Sequence, residues 1–326
     1  MLVDVLLLII GFIFLIKGAD ILVEGSSSIA KKFGLSSFFI GLTVVAFGTS
    51  TPELVVSILA SMQHSAGIAL GNIIGSNISN SLLILGASAM FAPLLVKKTT
   101  ITKEIPFLLL SILAVAILVN DFLIDGVEPN GLTRIDGLIL ILFFSIFIFY
   151  TFGISREKEN IFQKTVGNIK EEIPVLKTFH SVVLITLGLI GLTVGGRWIV
   201  NSAISISSEL GLSEALIGLT IVALGTSLPE LAASIVAAKK GNTDIAVGNV
   251  VGSNIFNLLW VLGLSSVVSP INFATRLNVD FIMLFVTTMI LTLFIFIGKK
   301  NILDKFEGVN LLICYFLYMV FIVMRG

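Results

Sequence analysis

One stretch of this chain occurs twice, and the repeat decides the fold. Residues 34–93 read GLSSFFIGLTVVAFGTSTPELVVSILASMQHSAGIALGNIIGSNISNSLLILGASAMFAP, and residues 211–270 read GLSEALIGLTIVALGTSLPELAASIVAAKKGNTDIAVGNVVGSNIFNLLWVLGLSSVVSP. The two copies align without a gap at an offset of 177, with 32 identities in 60 positions. A duplication that only filled a helix bundle would repeat the apolar faces, but it would not repeat the polar residues within them.

The composition of the chain indicates a membrane protein. Of its 326 residues, 56% are hydrophobic and 12% are charged, and the mean hydropathy is +1.09. A soluble domain has about a quarter charged residues, whereas apolar stretches of about 20 residues span a bilayer as helices. The alternating ten-residue segments of a membrane barrel are absent from the sequence. We therefore predict an all-α membrane protein with ten transmembrane helices at about 2–28, 36–62, 67–92, 105–120, 134–152, 179–205, 213–238, 243–269, 278–298 and 308–325.

Other classes of protein fit the sequence poorly. The single cysteine, Cys314, excludes an internal disulfide and a cysteine-based metal site. The formal net charge of zero gives no reason to expect a nucleic-acid partner. No nucleophile–base set or phosphate-binding loop is recognisable, so we predict that the protein is not an enzyme. The first span carries Lys17, Asp20 and Glu24, and we interpret it as mature structure and not as a signal peptide.

The distribution of basic residues predicts the orientation. With the N-terminus outside, inner segments hold 15 of the 20 lysines and arginines, outer segments hold 3, and Lys17 and Arg197 lie within spans. The positive-inside rule therefore places both termini outside and the long 153–178 segment in the cytoplasm. Multiple spans without a soluble domain predict a location in the cell membrane.

Each half of the chain contains five predicted spans. Because five is odd, the second copy enters the membrane from the opposite side, which gives inverted-topology repeats with a central site. We predict a first five-helix repeat at 1–152 with its motif at 40–86, a cytoplasmic linker at 153–178, and a second five-helix repeat at 179–326 with its motif at 217–263.

Two glutamates, Glu53 and Glu230, occupy equivalent positions near the middle of spans. A charged side chain at that depth costs about 2.5–3.5 kcal/mol, so each is expected to be protonated, paired or bound to a cation. Pro52 and Pro229 precede them, and a proline removes a backbone donor and crowds the preceding turn. Both spans should therefore break into half-helices at the Gly-Thr-Ser sequence before the proline.

The next span of each half supplies further polar partners. Glu53 and Asn80 lie roughly 14 and 20 Å below the membrane surface at 1.5 Å per residue, and Ser76 is one turn from Asn80. The same spacing recurs in the second copy. The Gly71-x-x-x-Gly75 and Gly248-x-x-x-Gly252 spacings predict close helix approaches. The predicted shell is all oxygen and suits hard cations such as Ca2+; its side chains are Glu53, Glu230, Thr49, Thr226, Ser50, Ser227, Ser76, Ser253, Asn80 and Asn257.

The repeated motif resembles the two alpha-repeats of the sodium/calcium exchanger family, within the calcium/cation antiporter superfamily. The residues that carry the resemblance are Gly48 to Glu53, Gly225 to Glu230, and the Gly-Ser-Asn-Ile-x-Asn sequence that follows each. The resemblance implies one Ca2+ site and several Na+ sites, with Ca2+ and Na+ as transported substrates and no organic cofactor. It implies the shell named above as ligands, together with the backbone carbonyls of Ala46 and Ala223. It also implies alternating access, with spans 1 and 6 sliding across the other eight.

Several alternatives remain at this stage. Some family members, including potassium-dependent exchangers, carry an acid where this chain has Asn257, so we predict K+-independent exchange. Proton-coupled relatives usually replace the Thr-Ser of the motif, and its presence here favours Na+ over H+. A Ca2+/H+ or other divalent cation exchanger of the same fold is the main alternative, and a cation channel is a weaker one. Further Na+ ions on neutral ligands would make transport electrogenic, and we expect a monomer.

Overall fold

The computed structural model describes residues 2–121, 126, 130–165, 176–209, 223–297 and 301–325. Helices dominate this part of the chain. They are α1 (Leu2–Phe33), α2 (Ser37–Ile40), α3 (Ala46–Thr49), α4 (Thr51–Met62), α5 (Ala66–Ser79), α6 (Leu85–Phe91), α7 (Ile105–Leu118), α8 (Arg134–Thr165), α9 (Thr178–Glu209), α10 (Ala223–Gly225), α11 (Leu228–Lys239), α12 (Thr243–Ile255), α13 (Leu262–Val268), α14 (Asn278–Ile297) and α15 (Lys305–Arg325).

Short irregular turns connect several of these helices. Wider π-helical turns join α2 to α3, α5 to α6 and α12 to α13, and another leads into α7; they cover Gly41–Val45, Asn80–Ile84, Phe256–Val261 and Thr100–Glu104. A 3₁₀ turn at Thr275–Leu277 precedes α14. Wider π-helical turns inside helices often occur at functional sites. Their presence beside the polar motif of each copy therefore indicates that these motifs form the site.

The all-α membrane prediction is confirmed in this part of the chain. Eight described helices are long and apolar enough to cross a membrane, and the number is nine if the bent pair Ser37–Thr49 and Thr51–Met62 counts as one span. The predicted span at 213–238 begins among residues 210–222, which lie outside the described residues. Its described portion consists of α10 and α11.

Two spans extend further than hydropathy predicts. Helix α1 continues beyond residue 28 to Phe33 and ends at Gly34, whose φ of +61° closes the helix. The backbone N–H of Leu35 donates to Ala30 at 2.9 Å, which satisfies a carbonyl of the last turn. Helix α8 continues past residue 152 to Thr165, so the first part of the 153–178 segment is helical.

Two spans form the centre of the bundle. The apolar window of Thr243–Val268 is 94% buried and that of Ala66–Phe91 is 72% buried, whereas the other single-helix spans are 22–39% buried. The peripheral helices expose large apolar side chains such as Leu110, Leu142 and Phe316, as expected for a surface that faces lipid. The most enclosed helices therefore carry the serines and asparagines that follow each glutamate.

Helices α1 and α9 cross closely at glycines. A Cβ atom at Gly11 would lie 3.0 Å from the Gly195 carbonyl oxygen, and one at Gly18 would lie 2.9 Å from that of Gly188. Gly11 and Gly188 are equivalent residues, as are Gly18 and Gly195, so the two contacts are related by the internal repeat. Small residues permit this backbone approach between membrane helices.

Four two-residue strands, which the sequence did not predict, link the two halves outside the spans. Strand β1 (Leu94–Leu95) pairs with β4 (Ile302–Leu303), and β2 (Gly131–Leu132) pairs with β3 (Ile271–Asn272), both antiparallel. Strands β1 and β3 are equivalent at the offset of 177, and each pairs with a strand from the other half. Each strand pair therefore joins one half of the chain to the other.

Candidate functional site: a buried oxygen cluster

Both glutamate-bearing spans break where the sequence predicts. Helices α3 and α4 are bent by 48° at Ser50, whose φ of −83° and ψ of 11° leave the helical region. In the second copy α10 ends at Gly225 and α11 begins at Leu228, and Ser227 has nearly the same backbone angles as Ser50. Proline sits in the first turn of α4 and α11, where its missing N–H costs nothing. Each break thus places a glutamate in the first turn of a new half-helix.

The two glutamates are deeply buried and only partly satisfied. The exposed fraction of each residue is 1%. Ser50 donates a 2.7 Å hydrogen bond to Oε1 of Glu230, and Ser76 lies 3.5 Å from Oε1 of Glu53. Oε2 of both glutamates has no hydrogen-bond partner, and neither forms an ion pair with another described residue. A buried carboxylate oxygen without a partner is costly and requires a proton or a cation.

Serine hydroxyls connect the two copies of the motif. The hydroxyl oxygen of Ser50 lies 2.9 Å from that of Ser253, and the hydroxyl of Ser227 lies 3.4 Å from that of Ser76. These pairs are equivalent, and each joins a break in one copy to the following helix of the other. All four residues are buried. The breaks therefore face one shared polar centre.

Asn80 and Asn257 are the predicted amide ligands of the site. Both residues are buried, and Oδ1 of each has no hydrogen-bond partner. Their nitrogens are used, since Asn80 donates to Oδ1 of Asn254 and Asn257 donates to Oδ1 of Asn77, both at 3.0 Å. The unpartnered oxygens thus belong to two equivalent pairs, one of carboxylates and one of amides.

A second pair of asparagines, Asn72 and Asn249, was missed by the sequence analysis. Asn249 accepts a 3.2 Å hydrogen bond from Thr49 through Oδ1 and lies 3.4 Å from the Glu230 carbonyl oxygen through Nδ2. Asn72 repeats the arrangement, with Oδ1 3.5 Å from the Thr226 hydroxyl and Nδ2 3.3 Å from the Glu53 carbonyl oxygen. The signal that could have found them is their identity at equivalent positions inside apolar spans.

The described residues are consistent with a site for hard cations. No cluster of three or more histidine, cysteine, aspartate or glutamate residues occurs in the described ranges, which leaves the glutamate pair as the charged groups of the centre. The polar side chains that the described residues place in hydrogen bonds with them are hydroxyls, and their backbone carbonyls lie near the carboxamides of Asn72 and Asn249. Neutral oxygens with two carboxylates are the ligand type that Ca2+ and similar ions prefer.

Comparison with known proteins identifies the family. The sequence pattern of the family described as sodium/calcium exchanger protein matches residues 3–153 and 180–324. The chain belongs to the sodium/calcium exchanger family. This is a family of transporters and not of enzymes, and the assignment agrees with the resemblance of the repeated motif.

Several known proteins resemble the chain over nearly its whole length. The putative antiporter CaxA of Alkalimonas amylolytica is 38% identical over 320 residues, which is 98% of each chain. The sodium/calcium exchanger MaX1 of Methanosarcina acetivorans is 33% identical over 344 residues, again 98% of each chain. A structure of the sodium-calcium exchanger NCX_Mj soaked with Na+ and Ca2+ superimposes with a TM-score of 0.80 at 34% identity and covers 98% of both chains.

Three further predicted site residues of this exchanger-family chain are Ala46, Ala223 and Thr226. The Ala46 carbonyl accepts from the Ser50 backbone N–H at 3.0 Å and lies 3.4 Å from the Thr49 hydroxyl. Ala223 begins α10, and its side chain lies outside the described part. Thr226 is half-buried.

The close helix approach predicted at the Gly-x-x-x-Gly spacings is present in the second copy. A Cβ atom at Gly248 would lie 2.6 Å from the Phe38 carbonyl oxygen, and one at Gly252 would lie 2.4 Å from that of Leu42. Around Gly71 and Gly75 no described heavy atom lies within 4 Å of such a position. The segment equivalent to the one that packs on Gly248 falls among residues 210–222, outside the described ranges.

Proposed function

We propose that the protein is a secondary-active antiporter that exchanges Na+ for Ca2+ at the buried oxygen cluster. The observation that carries the proposal is the set of four unpartnered oxygens: Oε2 of Glu53 and Glu230, and Oδ1 of Asn80 and Asn257. Buried acceptors are normally satisfied, and in this proposal a desolvated cation supplies the missing partner of these four oxygens. The names of the relatives support Ca2+ and Na+ as the substrates.

The proposed ligands combine charged and neutral oxygens. Glu53 and Glu230 supply two negative charges, which one Ca2+ or two Na+ neutralise, so the two ions compete for the same carboxylates. Further Na+ ions bind neutral ligands, and exchange therefore moves net charge across the membrane. The neutral ligands in this proposal are Thr49, Ser50, Ser76, Asn80, Thr226, Ser227, Ser253 and Asn257, with the carbonyls of Ala46 and Ala223.

The proposed architecture is ten transmembrane helices in two inverted five-helix repeats, at 1–152 and 179–326, joined by a cytoplasmic linker. The exchanged strand pairs and the equivalent hydrogen bonds between the copies support a twofold relation between the halves. Both termini lie outside the cell, as the distribution of basic residues predicts. One chain contains a complete site, so a monomer suffices for transport.

The packing of α1 and α9 supports alternating access. These helices cross each other at glycines and contact the broken helices, with Leu189 of α9 next to Gly48 and Val200 next to Gly225. Because Gly48 and Gly225 carry no side chain where Leu189 and Val200 of α9 contact the broken helices, the α1–α9 pair can slide as one body across the remaining helices. Sliding covers the oxygen cluster on one side of the membrane while it uncovers the other side.

The alternatives to K+-independent Na+/Ca2+ exchange differ in the ion that accompanies Ca2+ or drives its movement. The two carboxylates lack a third acid, which favours K+-independent exchange. A Ca2+/H+ or other divalent cation exchanger would use the same glutamates as proton carriers. A cation channel would use the same oxygens without a counter-ion.

The function is tested by 45Ca2+ uptake into proteoliposomes loaded with Na+. We expect uptake that requires an outward Na+ gradient and is unchanged when external choline is replaced by K+ at clamped potential. Uptake should speed up when the vesicle interior is made positive, because more than two Na+ leave for each Ca2+ that enters. Uptake driven by a pH gradient without Na+ would replace this proposal by Ca2+/H+ exchange. Single-channel currents independent of any counter-ion gradient would replace it by a channel.

A further inference from the structure

Two asparagines at the centre of the bundle, Asn77 and Asn254, bond to each other's backbone. Nδ2 of Asn77 donates to the Asn254 carbonyl oxygen at 3.1 Å, and Nδ2 of Asn254 lies 3.3 Å from the Asn77 carbonyl oxygen. Both side chains are buried, with exposed fractions of 0% and 1%. The two residues are equivalent, so this reciprocal contact lies where the two copies of the repeat cross.

The same two side chains also hold the amides of the oxygen cluster. Oδ1 of Asn77 accepts from Nδ2 of Asn257, and Oδ1 of Asn254 accepts from Nδ2 of Asn80, both at 3.0 Å. The contacts are crossed, because each asparagine holds the cluster amide that belongs to the other copy. The remaining atom of each cluster amide, Oδ1, has no partner.

An asparagine side chain has two ends of nearly equal size and opposite chemistry. Its oxygen binds a cation, whereas its NH2 group repels one. Rotation by about 180° about the terminal torsion exchanges the two ends at little steric cost. A neutral amide ligand in a cation site therefore needs a neighbour that accepts from its nitrogen and so directs its oxygen toward the ion.

The backbone supplies the fixed reference for this orientation. A backbone carbonyl can only accept, so the Asn254 carbonyl oxygen requires the nitrogen end of Asn77. The oxygen end of Asn77 then points to Asn257 and requires its nitrogen end. The oxygen of Asn257 is consequently left for the cluster. The second series of hydrogen bonds runs in the same way. The Asn77 carbonyl oxygen requires the nitrogen end of Asn254, which also lies 2.9 Å from the Ser81 hydroxyl, and the oxygen end of Asn254 requires the nitrogen end of Asn80.

We propose that Asn77 and Asn254 are positioning residues that turn the amide oxygens of Asn257 and Asn80 toward the transported cation, each across the boundary between the two copies. This inference rests on the proposed function, since it assumes that the cluster binds a cation. Neither Asn77 nor Asn254 contacts the ion. They act only through the amide that each one holds.

The test compares the effect of Asn77→Leu on Ca2+ binding in three backgrounds. Equilibrium binding of 45Ca2+ to the purified full-length protein is measured, and the melting temperature of each variant checks that it is folded. In the wild-type background Asn77→Leu should weaken binding about tenfold, the value of one hydrogen bond to a ligand group. Asn77→Ala, which leaves a small cavity and adds no apolar bulk, should have the same effect.

The two other backgrounds separate orientation from packing. In Asn257→Asp both ends of side chain 257 are oxygens, so its orientation no longer matters and Asn77→Leu should cause no further loss. In Asn80→Asp, which adds the same charge to the cluster, the amide of Asn257 still needs its partner, and Asn77→Leu should again cost about tenfold. Asn254→Leu should show the opposite pattern, with the loss removed by Asn80→Asp and kept by Asn257→Asp.

The outcomes distinguish this inference from the proposed function. An equal loss in all three backgrounds, or no loss in the wild type, would overturn the positioning role and leave Na+/Ca2+ exchange intact. If Asn77→Leu shows the predicted dependence on background in Ca2+ binding, but the wild-type protein does not exchange Ca2+ for Na+ in proteoliposomes, only the exchange proposal would be overturned. A wild-type protein that binds no Ca2+ would overturn both.

Discussion

Ser50 of the first copy donates a 2.7 Å hydrogen bond to the carboxylate of Glu230 in the second copy. The equivalent serine, Ser227, instead lies 3.4 Å from the hydroxyl of Ser76. The cluster is therefore asymmetric although the sequence around it is repeated. A charge-assisted hydrogen bond between the two copies holds one carboxylate in place more firmly than the other.

This asymmetry predicts unequal effects of two matching substitutions. Ser50→Ala removes a short hydrogen bond to a charged group, which is worth about 1.5–3 kcal/mol, and should weaken Ca2+ binding by about tenfold or more. Both substitutions remove one proposed neutral ligand, but beyond that Ser227→Ala removes only a long hydroxyl contact, so it should weaken binding less. Equilibrium 45Ca2+ binding to both purified variants measures the difference. An equal loss, or a larger loss in Ser227→Ala, would show that the Ser50 contact does not matter.

The glycine crossing of α1 and α9 predicts a loss of stability. A Cβ atom at Gly18 would lie 2.8 Å from the Leu192 backbone nitrogen, and backbone atoms of a packed helix cannot move aside. Gly18→Leu should therefore lower the melting temperature, in line with overpacking costs of about 1–3 kcal/mol. The matched control is Gly153→Ala in α8, where the residue is exposed and no described heavy atom lies within 4 Å. That variant should melt at or above the wild-type temperature, and similar destabilisation of both variants would contradict the account.

An ion pair between α1 and the turn after α11 predicts coupled effects on transport. Lys240 Nζ lies 2.7 Å from Asp20 Oδ1 and donates to the Asp20 carbonyl at 2.9 Å. Both side chains are partly exposed, so the pair is worth up to about 1 kcal/mol. Because α1 is one of the proposed sliding helices, the pair should bias the equilibrium between the two access states.

Asp20→Asn and Lys240→Gln should each change the initial rate of Na+-driven 45Ca2+ uptake by up to about fivefold, as expected for about 1 kcal/mol. The double variant should be no more affected than either single variant, since both remove the same interaction. Additive effects would show that the two residues act independently.

The sequence predicted the local features of the site well. Proline after a Gly-Thr-Ser sequence predicted the breaks at Ser50 and Ser227, because a missing N–H disrupts a helix wherever it occurs. Depth along the span predicts that Asn80 and Glu53 lie at a similar level in the membrane, because rise per residue converts position into distance. Such inferences need only one helix or one helical hairpin.

Features that depend on the register between distant helices were not predicted. The ion pair between Asp20 and Lys240 joins α1 to the turn after α11, and nothing in the sequence of either segment predicts it. Asn77 was recognised as part of a repeated motif, but its contact with Asn254 depends on how two helices cross. Hydropathy likewise marked the membrane boundary near residue 152 and not the end of α8 at Thr165, because a helix can continue into water.

The central claim is that Glu53 and Glu230 together hold the transported cation. Three variants with the same chemical change test it most directly: Glu53→Gln, Glu230→Gln and the control Glu307→Gln. Glu307 is also buried, but its carboxylate accepts from the backbone N–H of Asp304 outside the cluster, and glutamine preserves that acceptor. In Na+-loaded proteoliposomes, 45Ca2+ uptake should be abolished by either of the first two substitutions and retained by the control. Uptake that survives both Glu53→Gln and Glu230→Gln would contradict the account.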